Sequence, residues 1–176
     1  MKNLTLAQHL RQTIDRLRSG APYQWTHQGR CNLGHLIQSV TGLDGADIHR
    51  MAIRSEGDWR DHAATYCPNS GVAVDTLIGA VLRLGMRLED LGDFERLSSP
   101  RVLRWLPANR RSLDHRRRDD VILYLDTWAQ LLDAEQTHRL DPHADNYVNG
   151  RRYVPPPKAS QLLNAIDENP AAGRAA

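Results

Sequence analysis

The sequence predicts an all-α fold, and two observations support this prediction. Apolar residues recur at three- and four-residue intervals in several segments, which places them on one face of a helix. No segment of useful length alternates between apolar and polar residues, so strands are not predicted. We therefore expect one compact domain, an orthogonal bundle of about seven or eight helices.

The first helix is predicted to begin after Thr5, because Thr5 and Gln8 form the pattern of a capping box. Gly20 and Pro22 are expected to end it. A second helix should follow the segment Trp25–Leu36 and close at Gly42. The residues expected on the buried faces of these two helices are Leu6, Leu10, Ile14, Leu17, Leu33, Leu36, Ile37 and Val40.

Further helices are predicted from their starts and stops. Asp44 has the character of an N-cap, and Ser55 could begin another short helix. Gly85 should end a helix that carries Val74 to Leu82. Further starts are expected near Leu88, at Ser99-Pro100, where Pro occupies the first helical position, and at Asp119-Asp120, before a long apolar stripe.

The helical pattern weakens after Asp133. We place the helical domain at residues 3–135 and a loosely attached tail at residues 136–176. Pro155-Pro156-Pro157 should be extended. A short helix over residues 160–167 could dock back on the domain.

The composition excludes several classes of protein. Its 176 residues suit one domain, and 40% hydrophobic with 25% charged residues argues against wholesale disorder. A net charge of +2 does not by itself imply a polyanionic partner. Lysine occurs only at Lys2 and Lys158, so the chain is Arg-rich, which we attribute to coding bias because the arginines are spread along the chain.

The sequence also favours the cytoplasm. The N-terminal residues lack the uninterrupted apolar core of a signal peptide. No run approaches the roughly 18 apolar residues that span a bilayer, so no membrane partner is expected. Two cysteines do not make a disulfide scaffold, and we expect both thiols to be reduced.

Cys31 is the centre of the candidate site. It stands at the predicted start of the second helix, where a helix N-terminus stabilises thiolate. His35, one turn later, or His62 could act as the base, with Asp61 orienting it. These four residues would form a catalytic, thiol-dependent site.

Two other interpretations of Cys31 stay open. Cys31, His35, Cys67 and His62 (or His49) could bind zinc tetrahedrally, although their spacing matches no standard zinc pattern. Alternatively, Cys31 and His35 could simply be core residues, because a reduced cysteine behaves as a small hydrophobic side chain. Whether the protein is an enzyme is left undecided.

A binding or adaptor module is the alternative function. Arg116, Arg117 and Arg118 lie in a basic loop that could neutralise phosphates. A helix-turn-helix around Gly85 would bring Glu89 and Asp90, with two further carboxylates, to the DNA backbone, so specific DNA readout is not expected. A protein partner therefore fits this alternative better than a nucleic acid does.

Overall fold

The computed structural model describes residues 4–52 and 76–156, and these residues are mostly helical. Two β-strands form a small antiparallel hairpin near the end of the described chain. The elements in chain order are α1 (Leu6–Arg18), α2 (Asn32–Thr41), α3 (Gly45–Ala52), α4 (Thr76–Leu82), α5 (Leu88–Arg96), α6 (Pro100–Leu103), a 3₁₀ turn (Ala108–Arg110), α7 (Arg118–Leu140), β1 (Tyr147–Val148) and β2 (Arg151–Arg152).

The longest helix, α7, packs chiefly against α1, while α2 contacts α1, α3, α4 and α5. Leu33, Leu36 and Ile37 of α2 are fully buried, as the apolar spacing predicted. The N-terminal half of α2 therefore lies inside the core, where neighbouring helices pack against its side chains.

The predicted boundaries of α1 and α2 are confirmed by their caps. Thr5 Oγ1 accepts from the Gln8 backbone N–H, and Gln8 Oε1 accepts from the Thr5 N–H at 2.8 Å, which completes a capping box. Gly42 ends α2 in the left-handed conformation with φ of 74°. Asp44 Oδ1 then accepts the N–H groups of Ala46 and Asp47, both at 2.8 Å, and so begins α3.

Asn32 attaches the start of α2 to the end of α5. Its side chain is fully buried. Nδ2 donates to the carbonyl oxygens of Phe94 at 2.7 Å and Glu95 at 3.2 Å. Carbonyls in the last turn of a helix lack the full set of intrahelical partners, and this amide supplies a donor to two of them. Asn32 thus links the start of α2 to the end of α5.

The prediction that the chain has no strands was wrong for one short hairpin. Asn149 and Gly150 have φ of 49° and 73°, as a two-residue turn of the type preferred in hairpins requires. Asn149 Nδ2 donates to Thr127 Oγ1, and its backbone N–H donates to Gln130 Oε1, both at 2.8 Å. The hairpin is thereby attached to α7.

The predicted domain boundary at residue 135 lies inside α7, which continues to Leu140. Val148 and Tyr153, within the predicted tail, are buried in the core. The short helices predicted from Ser55 and over residues 160–167 lie outside the described residues. Within the described ranges, no helix is both long enough and apolar enough to cross a membrane.

Candidate functional site

Cys31 is the N-cap of α2. Its backbone is extended, with φ of −74° and ψ of 172°, and its Sγ accepts the Gly34 N–H at 3.3 Å. The thiol itself donates to the Gln28 carbonyl at 3.4 Å. Only 2% of the residue is exposed. The sulfur therefore performs the capping task that Ser or Asp usually performs.

His35 lies one turn along α2 and is equally buried. Its Nε2–H donates to the Pro22 carbonyl at 3.1 Å, and its Nδ1 lies 3.5 Å from Gln38 Nε2. Both ring nitrogens thus have partners other than the Cys31 thiol. Burial lowers the pKa of His35, outweighing the opposite effect of the hydrogen bond to Pro22.

The other predicted site residues on this side, Asp61, His62 and Cys67, lie outside the described residues. The thiol-dependent and zinc hypotheses consequently stay predictions. Over residues 4–52 and 76–156, no group of three or more His, Cys, Asp or Glu side chains is arranged to hold a metal ion.

The basic segment Arg116–Arg118, which leads into α7, packs against the residues that precede α2. Arg118 Nη2 donates to the Ala21 carbonyl at 3.0 Å, whereas the side chains of Arg116 and Arg117 extend into solvent. The Trp25 and His115 rings are in contact, with centroids 4.3 Å apart. The structure thus ties one of the three predicted arginines to the fold and leaves two exposed.

A cavity of about 480 Å³ opens beside this region, between the end of α1, the loop before α2, and helices α2 and α3. It is the strongest candidate for a binding site among the described residues, because it gathers charged and titratable side chains from several elements. We call it the α1–α3 cleft; its lining residues are Arg16, Ala21, Pro22, His27, Gly29, Arg30, His35, Gln38, Asp44, Gly45, Ala46, His49 and Arg50.

Glycines allow the walls of the cleft to approach each other. A Cβ atom on Gly29 would lie 1.7 Å from the Gly45 carbonyl oxygen, and one on Gly34 would lie 1.9 Å from that of Gln28. Both distances are far below van der Waals contact, and both partners are backbone atoms. Only glycine at these positions lets the loop before α2 lie directly on α2 and α3.

Gln38 joins three walls of the cleft. Its Nε2 donates to the Gly29 carbonyl at 2.7 Å and also faces His35 Nδ1, and its Oε1 accepts from Arg16 Nη1 at 2.6 Å. Since Gln38 is buried, these bonds have little competition from water. The Gln38 side chain therefore connects α1 and the loop before α2 to α2 itself through hydrogen bonds.

His27, in the loop before α2, stacks on His49 of α3, with ring centroids 4.0 Å apart and planes 27° from parallel. His27 Nδ1 accepts the Gly29 N–H at 3.2 Å, while His49 Nδ1–H donates to Gln28 Oε1 at 3.0 Å. The hydrogen bond at Nδ1 fixes the orientation of each ring, and Nε2 takes part in neither of these two bonds. Burial lowers the pKa of His27, and the nearby His49 and Arg30 lower it further.

The charges around the cleft are mainly positive. Arg16, Arg30 and Arg50 contribute guanidinium groups, and Asp44 contributes a carboxylate that is used in capping α3. Arg50 pairs with Asp47. Within the described chain, neither Arg16 nor Arg30 has a carboxylate at salt-bridge distance. A guanidinium without a carboxylate partner is suited to bind a carboxylate or phosphoryl group.

Sequence reasoning did not identify this cleft. From the sequence, His35 was expected only in the thiol or zinc site, and His49 only in the zinc site. The residues come from separate elements, so no local spacing connects them. The sequence feature that pointed to the cleft was the pair Gly29 and Gly34. Glycines allow two segments of backbone to approach closely, but the sequence does not show which segments these are.

Comparison with known proteins gives no relative for this chain: no protein-family model, no curated protein and no solved structure matches it.

Proposed function

We propose that the chain is a binding module for a small anion, built on an orthogonal helical bundle, and that the α1–α3 cleft holds the ligand. One observation carries this proposal: a stacked histidine pair lines one cavity together with the guanidinium groups of Arg16 and Arg30, neither of which has a carboxylate at salt-bridge distance among the described residues. The third guanidinium group, that of Arg50, is paired with Asp47, and the carboxylate of Asp44 caps α3. A volume of about 480 Å³ is within the range of small-molecule sites.

Arg30 and Arg16 are the residues expected to contact the anion. Arg30 is exposed and belongs to the loop that Gly29 places on α3. Arg16 is held toward the cleft by its bond to Gln38. Because the Arg16 guanidinium is positioned before the ligand arrives, little of its side-chain entropy is lost on binding.

This proposal develops the non-enzymatic alternative from the sequence, with a small anion in place of a protein partner. It is favoured over thiol chemistry because Cys31 is buried and its sulfur caps α2. A nucleophilic thiolate must be reached by its substrate. The cytoplasm stays our proposed location.

The proposal is tested by calorimetric titration with sulfate at constant ionic strength, with Arg30→Gln as the test variant. Arg18→Gln is the matched control, because Arg18 is exposed on α1 and does not line the cleft. We expect saturable binding that Arg30→Gln weakens about tenfold, the loss of about one charge-assisted hydrogen bond. Unsaturable heats, or equal weakening by Arg18→Gln, would contradict the proposal.

A further inference from the structure

We propose, building on the anion-binding function above, that the ligand carries two negative charges, as a phosphate monoester or inorganic sulfate does, and that it binds together with protons taken up by the stacked pair His27 and His49. The cleft would then be a proton-linked oxyanion site.

The tautomers of the two rings support this assignment. His27 Nδ1 accepts a backbone N–H, so the proton of its neutral ring is on Nε2. His49 Nδ1 donates to the Gln28 side-chain oxygen, so its neutral Nε2 bears a lone pair. The neutral pair thus offers one donor and one acceptor. Protonation of His49 converts that acceptor into a second donor, which an oxyanion requires.

The charged surroundings oppose protonation while the cleft is empty. The rings face each other, and Arg30 lies on the loop beside His27. The other titratable groups of the cleft are Arg16 on α1, His35 on α2, and Asp44 and Arg50 at α3, with Asp47 paired to Arg50. Burial is the leading cause that lowers the pKa of His27, and this mainly cationic setting, His49 and Arg30 above all, lowers it further, so adding a proton to His27 is unfavourable.

A bound anion would make protonation of the histidine pair more favourable than it is in the empty cleft. Its charge favours the imidazolium form, so binding raises the pKa of the pair, and by linkage a lower pH strengthens binding. A doubly charged ligand suits the pair better than a single carboxylate, because two guanidinium groups and an added imidazolium require more than one negative charge for compensation. The charge balance of the cleft therefore favours a dianion.

Sulfate is the appropriate probe, because it stays doubly charged at neutral and mildly acidic pH, so any pH dependence belongs to the protein. Its Kd is measured calorimetrically from about pH 7.5 to about pH 5.5, in buffers of different ionisation enthalpy, with the fold monitored by circular dichroism. We expect Kd to fall about tenfold on acidification, which corresponds to a pKa rise of about one unit. We also expect a net proton uptake near the middle of this range.

Substitutions at His27 and His49 test whether these two rings take up the protons that accompany sulfate binding. The double variant His27→Gln/His49→Gln should abolish the proton uptake and remove most of the pH dependence of sulfate binding, and each single variant should remove part of it. Weaker but saturable binding is expected to remain, because the guanidinium groups remain. His143→Gln is the matched control, since His143 is exposed and outside the cleft. It should keep the full pH dependence.

The outcomes separate this inference from the proposed function. Saturable sulfate binding with a constant Kd and no proton uptake would overturn the inference alone. Proton uptake that persists in the double variant would also overturn it, because another group, such as His35, would then carry the protons. Absence of saturable binding at every pH would overturn the proposed function itself.

Discussion

The imidazole of His27 stacks on that of His49, with ring centroids 4.0 Å apart. Hydrogen bonds at Nδ1 of each ring, to Gly29 and Gln28, fix this arrangement from within the loop itself. The loop before α2 is therefore held against α3 by side chains as well as by its glycines. The stacked pair thus links the proposed ligand-binding cleft to the packing that positions it.

Gly34→Ala should destabilise the protein although it lies in a helix. Alanine normally stabilises a helix by about 1 kcal/mol relative to glycine. Here its Cβ would meet the Gln28 carbonyl oxygen at 1.9 Å, so we expect a net loss of about 1–3 kcal/mol in the free energy of unfolding by urea. Gly79→Ala in α4 is the control, because its Cβ would meet only a flexible Arg83 side chain. A gain at Gly34 like that expected at Gly79 would contradict the account.

Asn32→Ala should lower the free energy of unfolding by about 1–3 kcal/mol, because it removes two hydrogen bonds, one to the buried carbonyl of Phe94 and one to the half-buried carbonyl of Glu95. Asn109→Ala, at an exposed position, should change it by less than about 0.5 kcal/mol. Urea unfolding of both variants provides the comparison. Equal effects would mean that Asn32 does not anchor α2 as described.

Cys31 should react slowly with iodoacetamide in the folded protein. Its sulfur is buried and caps α2, so alkylation should require local opening of the helix start. The measurement uses Cys67→Ser, which leaves Cys31 as the sole thiol. The expected rate is that of protein opening, accelerated by sub-denaturing urea. Rapid alkylation that reaches its plateau below neutral pH would instead support the thiol-dependent hypothesis.

The free energy of unfolding should fall as pH drops below about 6.5. Burial is the leading cause that lowers the pKa of His27, His35 and His115 beneath the ordinary value of 6.5. The unfolded chain then binds protons before the folded chain does, so this stabilisation is complete above 6.5 and is lost as pH falls through the folded-state values.

Urea unfolding at several pH values measures this loss directly. Asp90 also has a lowered pKa, despite an opposing effect of burial, but its contribution is lost only below the ordinary carboxyl value of 3.8, which keeps the two windows apart. The prediction fails if the free energy of unfolding is flat between about pH 7.5 and about pH 5.

The sequence predicted local structure well where caps and apolar stripes agree. Thr5 with Gln8, Gly42 and Asp44 each mark a helix end that depends only on neighbouring residues. The hairpin was missed because its strands are too short for a period to show. The dipeptide Asn149-Gly150 could have indicated it, because Asn-Gly is common in the two-residue turns of hairpins.

The candidate site was harder to predict for a physical reason. Cys31 and His35 attracted attention because they are close in sequence and chemically reactive, yet both are buried and hydrogen-bonded. Arg16 and His49 are far apart in sequence and acquire a shared role only through tertiary packing around Gln38 and Gly29. Such convergence depends on distances that one sequence does not contain.

The location of the anion site is tested most directly by an amide NMR titration of the protein with sulfate at constant ionic strength. We expect the largest shifts at the backbone amides of Gly29, Arg30, Gly45 and His49, saturating with the calorimetric Kd, while amides in the middle of α7 stay unchanged. Shifts confined to the loop of Arg116, Arg117 and Arg118, or no saturable shifts at all, would contradict the claim that the α1–α3 cleft binds the anion.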